Sequence, residues 1–218
     1  GQVSFEFFHI IGILSLILAT WCAWLASVVV NDIYDGAIDR LTNPDRPLVV
    51  GTIPLPEYRL YGLICFLFSL LLSGIVSFSA LLLILSYQAL ATLYSAPPLR
   101  LKQYPGLATL IAALAGMLVL ISGIVAVVPT HSITGIPLSL LAYLFVADFL
   151  PLPIKDFKDI KGDRRDHVYT IPVLLGAERG KYVIGSLLFL LFALSPLVLA
   201  VRLLLIPAFL FGSLAYFV

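Results

Sequence analysis

Residues 107–128 read LATLIAALAGMLVLISGIVAVV, a run of 22 residues with no ionisable side chain. At about 1.5 Å of rise per residue, a helix of that length covers about 30 Å, the hydrocarbon thickness of a bilayer. The run has no period-two alternation, so it reads as a helix rather than a barrel strand: in lipid the backbone must satisfy its own hydrogen bonds. Six further apolar stretches repeat the pattern on either side, Phe7–Val30, Leu60–Phe78, Ala80–Tyr94, Ile136–Ile154, Tyr182–Val201 and Leu203–Val218, of which the second-listed pair of short ones, Ala80–Tyr94 and Leu203–Val218, barely reach span length. Proline and glycine fall mostly at the joints, as in Pro54-Leu55-Pro56, Pro97-Pro98, Pro105-Gly106 and Pro129. The expectation is an all-α membrane protein with seven visible spans, a single transmembrane domain over residues 1–218.

Composition agrees. Of 218 residues 61% are hydrophobic and 11% charged, against roughly 45–50% and about 25% in a soluble domain. A water-soluble globule is excluded, and a formal charge of +1 provides no field for holding nucleic acid. Charge placement is more informative than charge total. If the spans alternate in direction, the joints after the first, third and fifth share one side, and they hold twelve of the thirteen Lys and Arg residues, all but Arg202, together with ten of the twelve acids, all but Glu6 and Asp148. Short basic loops stay cytoplasmic, so that side is expected to be the cytoplasm. Residue 1 is Gly, and Val201-Arg202-Leu203 leaves little room for a turn between spans; segments of the natural chain are expected to be missing. Cys22 and Cys65 lie inside spans as small packing residues, and His9, His131 and His167 are scattered, with no zinc spacing.

Two joints carry the chemistry. The first reads Asn31-Asp32-Ile33-Tyr34-Asp35-Gly36-Ala37-Ile38-Asp39-Arg40 and the second Lys155-Asp156-Phe157-Lys158-Asp159-Ile160-Lys161-Gly162-Asp163-Arg164. Each contains D-x-x-D-x-x-x-D, so a continuing helix puts Asp32, Asp35 and Asp39, and likewise Asp156, Asp159 and Asp163, on one stripe. Carboxylates so placed repel unless a cation offsets them. An all-oxygen donor set without thiolate or imidazole selects Mg²⁺, which usually takes one or two carboxylates and completes its shell with phosphate. Two stripes on one side of the membrane then point to a diphosphate bridged by metal, with Arg40, Arg46, Arg100, Lys102 and Lys155 available to clamp its remaining oxygens. A charged head at the mouth of an apolar bundle implies an apolar tail, and a polyprenyl diphosphate such as geranyl or geranylgeranyl diphosphate fits. The metal would draw charge onto the departing diphosphate as the allylic C–O bond breaks. An aromatic face, with Tyr94 singled out beside the basic joint at 97–102, would stabilise the allylic cation.

At these residues the sequence closely resembles the UbiA superfamily of intramembrane prenyltransferases. Asn31-Asp32-x-x-Asp35-x-x-x-Asp39 followed by Asn43-Pro44-Asp45-Arg46-Pro47 and Gly51 resembles the family's first motif; Lys155-Asp156-x-x-Asp159-x-x-Gly162-Asp163-Arg164, then Thr170-Ile171-Pro172 and Leu175-Gly176, resembles the second. Tyr94-Ser95-Ala96-Pro97-Pro98-Leu99-Arg100-Leu101-Lys102 is similar to the segment of members acting on aromatic acceptors and chlorophyllide. The resemblance implies a UbiA-like bundle of nine spans around a central cavity open to lipid, of which the seven here correspond to the second to eighth, the first and last being absent. It implies that Asn31, Asp35, Asp156, Asp159 and Asp163 hold Mg²⁺ and diphosphate, supported by Asp32 and Asp39. The candidate metal set is thus Asn31, Asp32, Asp35, Asp39, Asp156, Asp159 and Asp163; the substrate-binding set is Asn31, Arg46, Arg100, Lys102 and Lys155; Asp35, Asp159 and Tyr94 are expected to carry catalysis. Where many members have an Arg-Glu pair, Pro151-Leu152-Pro153 here breaks the helix.

The expected activity is Mg²⁺-dependent transfer of a polyprenyl group to a small aromatic acceptor, such as 4-hydroxybenzoate or homogentisate, in quinone or prenyl-lipid biosynthesis. Alternatives are transfer to geranylgeranylglyceryl phosphate, as in archaeal ether lipids, or to chlorophyll or haem precursors. A CDP-alcohol phosphotransferase is a weaker rival, because Asp32-x-x-Asp35-Gly36 begins its motif but Ile38-Asp39 replaces the Ala-Arg that should follow. A cation transporter needs ionisable groups near mid-membrane, and only Asp148 lies within a span there.

Overall fold

The computed structural model describes residues 2–42, 44–104, 106–128, 135–160, 164, 170–200 and 205–216, with side chains described for these except 2–9, 38, 41–42 and 158–159. The elements are α1 (Gln2–Thr42), α2 (Pro47–Val50), α3 (Leu55–Val76), α4 (Phe78–Ser95), a 3₁₀ turn at Leu101–Gln103, α5 (Leu107–Val127), α6 (Leu138–Phe149), a 3₁₀ helix at Leu152–Asp159, α7 (Ile171–Leu175), α8 (Ala177–Val198) and α9 (Leu205–Tyr216). Among the described residues six segments are long and apolar enough to cross a membrane, Ile10–Ala37, Leu55–Val76, Phe78–Ser95, Leu107–Val127, Leu138–Phe157 and Ala177–Val198. This is an integral membrane protein. Of the seventh expected span, Leu203–Val218, the described residues form the 12-residue α9, about 18 Å long. The tight Val201-Arg202-Leu203 joint and His131 lie outside the described residues.

The chain divides into two compact units, residues 1–101 with 118–135, and residues 102–117 with 136–218. In the first, α1, α3 and α4 pack on one another. Bilayer physics governs which residues face inward. The buried residues of α3 are Tyr58, Gly62, Cys65, Ser69 and Ser73, one stripe at helical spacing. The large apolar residues Leu60, Leu63, Ile64, Leu67, Leu71 and Ile75 point outward, where lipid serves them as well as a core would. Small inward residues let backbones approach: a Cβ at Gly62 would stand 2.6 Å from Val29 Cγ1 on α1. Gln88 on α4 donates from Nε2 to Ser69 Oγ at 3.1 Å, a buried polar tie between helices. Leu16, Ala19, Ala23, Ala80, Ile84 and Ala126 form the core, and Cys22, Cys65 and Ala26 a second cluster, with both thiols free as expected of packing residues.

In the second unit α8 is the axis. Ile184, Leu188 and Leu191 bury against Tyr143, Ala147, Leu150, Ile154, Phe157, Ile171 and Ala215. Glycine sets the closest crossing: a Cβ at Gly185 would meet the Tyr216 carbonyl oxygen at 2.5 Å, so α9 lies directly on α8. The break expected at Pro151-Leu152-Pro153 is present, since α6 ends at Phe149 and the chain continues as the 3₁₀ helix Leu152–Asp159. Asp148 on α6 packs its carboxylate against Gly116 of α5, in the space a Cβ would fill.

Candidate active site

α1 runs unbroken through the first motif to Thr42. Three aspartates therefore sit in the last turns of a long helix, where the macrodipole is negative and each carboxylate is disfavoured by its neighbours as well. At about 100° per residue the motif resolves into two faces about 70° apart, Asp32 with Asp39 and Asn31 with Asp35. Each is met by a different set of partners.

Asp32 and Asp39 are buried, 4% and 3% exposed. Arg46 Nη1 pairs with Asp32 Oδ1 and lies 3.4 Å from Asp39 Oδ2. The other Asp32 oxygen accepts from Tyr58 Oη at 2.8 Å. Local chain geometry delivers Arg46: it caps α2, whose Val49 and Val50 amides both donate to the Arg46 carbonyl at 2.9 Å. Gly51 then ends that turn with φ 78, a left-handed conformation that favours glycine.

On the other face Asn31 and Asp35 are partly buried. Ser95 Oγ donates to Asn31 Oδ1 at 3.2 Å, and Arg100 Nη2 donates to Asp35 Oδ1 at 2.9 Å. Ser95 closes α4, and Arg100 follows five residues later with its amide bonded to the Ala96 carbonyl at 2.9 Å and φ 38. Tyr94 is half-buried on the last turn of α4, beside Ser95. Lys102 lies on the next 3₁₀ turn, in the other unit.

The second motif is described within its own unit. Lys155 is exposed and Asp156 half-buried on the 3₁₀ helix. With three residues per turn, positions 156 and 159 sit one turn apart, a 3₁₀ counterpart of the expected α-helical stripe. The Asp159 side chain and all of Asp163 lie outside the described residues. Tyr58 and Ser95 are partners that the sequence reading did not assign. Tyr58 shares the small-residue stripe of α3, and Ser95 sits inside the quoted Tyr94–Lys102 segment.

α1 also walls a cavity of about 530 Å³ in the first unit, lined by Ile13, Leu16, Ile17, Thr20, Trp21 and Trp24 of α1, Tyr87 of α4 and Val119, Ser122, Gly123, Ala126 and Val127 of α5. Positions seven apart on a helix face the same way to within about 20°. Trp24 therefore shares a face with Asn31 and, because eleven residues also bring a helix back to within about 20°, with Asp35. The cavity wall and the Asn31–Asp35 pair are successive stretches of one helix face.

The donor set suits a metal shared with a phosphate rather than one caged by protein. Among the described residues no three of His, Cys, Asp and Glu converge on a point. That follows from the spacing, which spreads the aspartates over about 10 Å of helix. Asn31 and Asp35, one turn apart, offer a two-oxygen edge, and Mg²⁺ characteristically uses one or two carboxylates plus substrate phosphate.

The UbiA prenyltransferase family matches residues 4–218. Among curated relatives, the digeranylgeranylglyceryl phosphate synthase of Methanosphaera stadtmanae is 30% identical over 187 residues, covering 84% of this chain and 65% of the relative. That of Pyrococcus abyssi is 28% identical over 178 residues, covering 79% and 59%. The chain thus spans about three fifths of these relatives' length. Among solved structures, a UbiA homolog from Archaeoglobus fulgidus bound to DMAPP and Mg²⁺ superposes with a TM-score of 0.75 at 22% identity, over 95% of this chain and 75% of that one. A structure concerned with digeranylgeranylglyceryl phosphate synthase in membranes gives 0.62 at 26% identity, over 95% and 79%. With the motifs, the helical membrane fold and a match running almost end to end, this chain belongs to the UbiA prenyltransferase family.

Proposed function

We infer that this chain is the substrate-binding and transfer core of a Mg²⁺-dependent prenyltransferase that joins a prenyl group, from a donor such as geranylgeranyl diphosphate, to the hydroxyl of a geranylgeranylglyceryl phosphate acceptor. The observation that carries the reading is the single α1 face on which an apolar, aromatic-lined cavity leads to Asn31 and Asp35. An isoprenoid tail lies along the first and its diphosphate meets the second. The acceptor revises the expectation drawn from sequence, which placed an aromatic ring and quinone synthesis first. The relatives reported above are named for an ether-lipid product, so the hydroxyl acceptor is preferred.

When bound, Mg²⁺ would supply charge neutralisation for the leaving diphosphate. Asn31 and Asp35 hold it from the first motif, with Asp156, Asp159 and Asp163 as the proposed holders from the second. Arg100, Lys102 and Lys155 clamp diphosphate oxygens. Asp32 and Asp39 act indirectly in this reading, anchoring Arg46 and so fixing the end of α1. The allylic C–O bond breaks with its electron pair leaving on the diphosphate, an ether C–O bond forms to the acceptor oxygen, and the hydroxyl proton passes to the released diphosphate. Tyr94 is the aromatic proposed to face the developing cation. The charge bias of the joints supports a cytoplasmic side for this chemistry.

The test is transfer by purified protein in liposomes from radiolabelled geranylgeranyl diphosphate with Mg²⁺, offering geranylgeranylglyceryl phosphate, 4-hydroxybenzoate and homogentisate in parallel. The reading expects an acid-stable lipid ether and matching diphosphate release with the first acceptor. Product only with an aromatic acceptor overturns the acceptor assignment. Metal-independent ion flux with no transfer overturns the enzyme.

A further inference from the structure

Arg100 is built differently from the other cation of the first motif. Arg46 sits between two deeply buried carboxylates, whereas Arg100 reaches one oxygen of Asp35 with one nitrogen, Nη2, at 2.9 Å. Its Nε is buried and has no hydrogen-bond partner among the described residues. Its backbone, at φ 38, occupies the left-handed region that a residue with a side chain disfavours. A guanidinium with a buried unused donor, on left-handed backbone and with one side-chain ion pair among the described residues, is set up for a second acceptor.

We propose that Arg100 is a placeholder for the divalent cation: it neutralises Asp35 while metal is absent, and transfers to the diphosphate when metal and diphosphate arrive together. This rests on the reading that Asp35 meets a metal-bound diphosphate. The reasoning is electrostatic. Asp35 lies near the negative end of α1 beside two other carboxylates, so it requires a counter-charge in either state. Mg²⁺ and a guanidinium cannot share Oδ1, because each excludes the other by repulsion. The displaced guanidinium finds phosphate oxygens next to the site it leaves, and its fork of donors matches them better than one carboxylate oxygen does. Nε then gains an acceptor, and the backbone is free to leave its left-handed conformation. Free metal is held off until the diphosphate that Arg100 prefers is present.

Mn²⁺ serves as the metal probe and inorganic pyrophosphate as the headgroup probe, with the full chain in nanodiscs. Mn²⁺ affinity is read by electron paramagnetic resonance of the unbound ion, and pyrophosphate affinity by calorimetry at saturating Mn²⁺. Arg100→Gln is expected to bind Mn²⁺ about tenfold more tightly than the parent when pyrophosphate is absent, and pyrophosphate about tenfold more weakly when Mn²⁺ is present. Arg100→Gly, a residue suited to the left-handed backbone, should show the same opposed shifts and keeps the test open if Arg100→Gln does not fold. A merely structural Arg100 would weaken both affinities or change neither, and either result overturns the exchange. Transfer activity is scored separately: opposed shifts in a chain that transfers no prenyl group would leave the exchange standing and sink the enzyme reading.

Discussion

Replacing Arg46 with alanine strips the shared cation from two carboxylates that are 4% and 3% exposed. Breaking a buried ion pair by removing one partner costs about 3–5 kcal/mol. The Arg46 side chain is 33% exposed against 5% for each partner, so water already screens its end and about 2–3 kcal/mol is the better expectation. Tyr58→Phe removes the 2.8 Å bond to the other Asp32 oxygen but keeps the ring, and should cost about 1.5–2 kcal/mol. The telling variant is the double change. In the Arg46→Ala background, Asp39→Asn removes one of two uncompensated charges and should restore about 1 kcal/mol, although alone, with Arg46 present, it should destabilise. Reversible unfolding in mixed micelles, followed by circular dichroism, measures the parent and all four variants. If Arg46→Ala falls within about 0.5 kcal/mol of the parent and Asp39→Asn gives no recovery, the carboxylates are solvated and the clamp described here does not exist.

Asp35→Ala and Asp159→Ala should each reduce prenyl transfer to below about 1% of the parent rate. For Asp35→Ala, relief of repulsion at the helix end offsets the lost Arg100 contact and keeps stability within about 1 kcal/mol; a stability loss matching the activity loss would assign Asp35 to the fold. Removing divalent metal with EDTA should stop diphosphate release and added Mg²⁺ should restore it, so metal-independent release contradicts the proposed chemistry. Gly185→Ala places a Cβ 2.5 Å from the Tyr216 carbonyl oxygen, which cannot rotate away, and should cost about 2 kcal/mol by prising α9 from α8. Gly62→Ala meets the Val29 side chain instead, and Val29→Ala should rescue it in a double-mutant cycle.

The spans were legible because lipid demands long uninterrupted apolar runs, and the Pro151-Leu152-Pro153 break because proline cannot continue a helix. The first motif's i, i+3, i+7 spacing was legible as a stripe, and α1 supplies the continuous helix that the stripe needed. The division of that stripe was not. Which carboxylate faces which cation depends on Arg46 returning from a capped turn and on Arg100 arriving from 65 residues away, and neither leaves a periodic trace. Tyr58 and Ser95 were hidden for a related reason: inside a bilayer protein small and polar residues turn inward, so the stripe Tyr58, Gly62, Cys65, Ser69 and Ser73 passes as interruptions in a greasy run. The acceptor left no residue-level mark, and relatives shifted that assignment.

The chain has two tryptophans, and both, Trp21 and Trp24, line the cavity on the α1 face that leads to Asp35. Titrating geranylgeranyl thiolodiphosphate, which binds without turning over, while following intrinsic tryptophan emission therefore reads tail and headgroup together. The account predicts a saturable emission change that requires Mg²⁺, weakens as the prenyl chain is shortened to dimethylallyl, and vanishes in Asp35→Ala. Saturable binding that leaves the emission unchanged, or an emission change indifferent to EDTA and to Asp35→Ala, would contradict it.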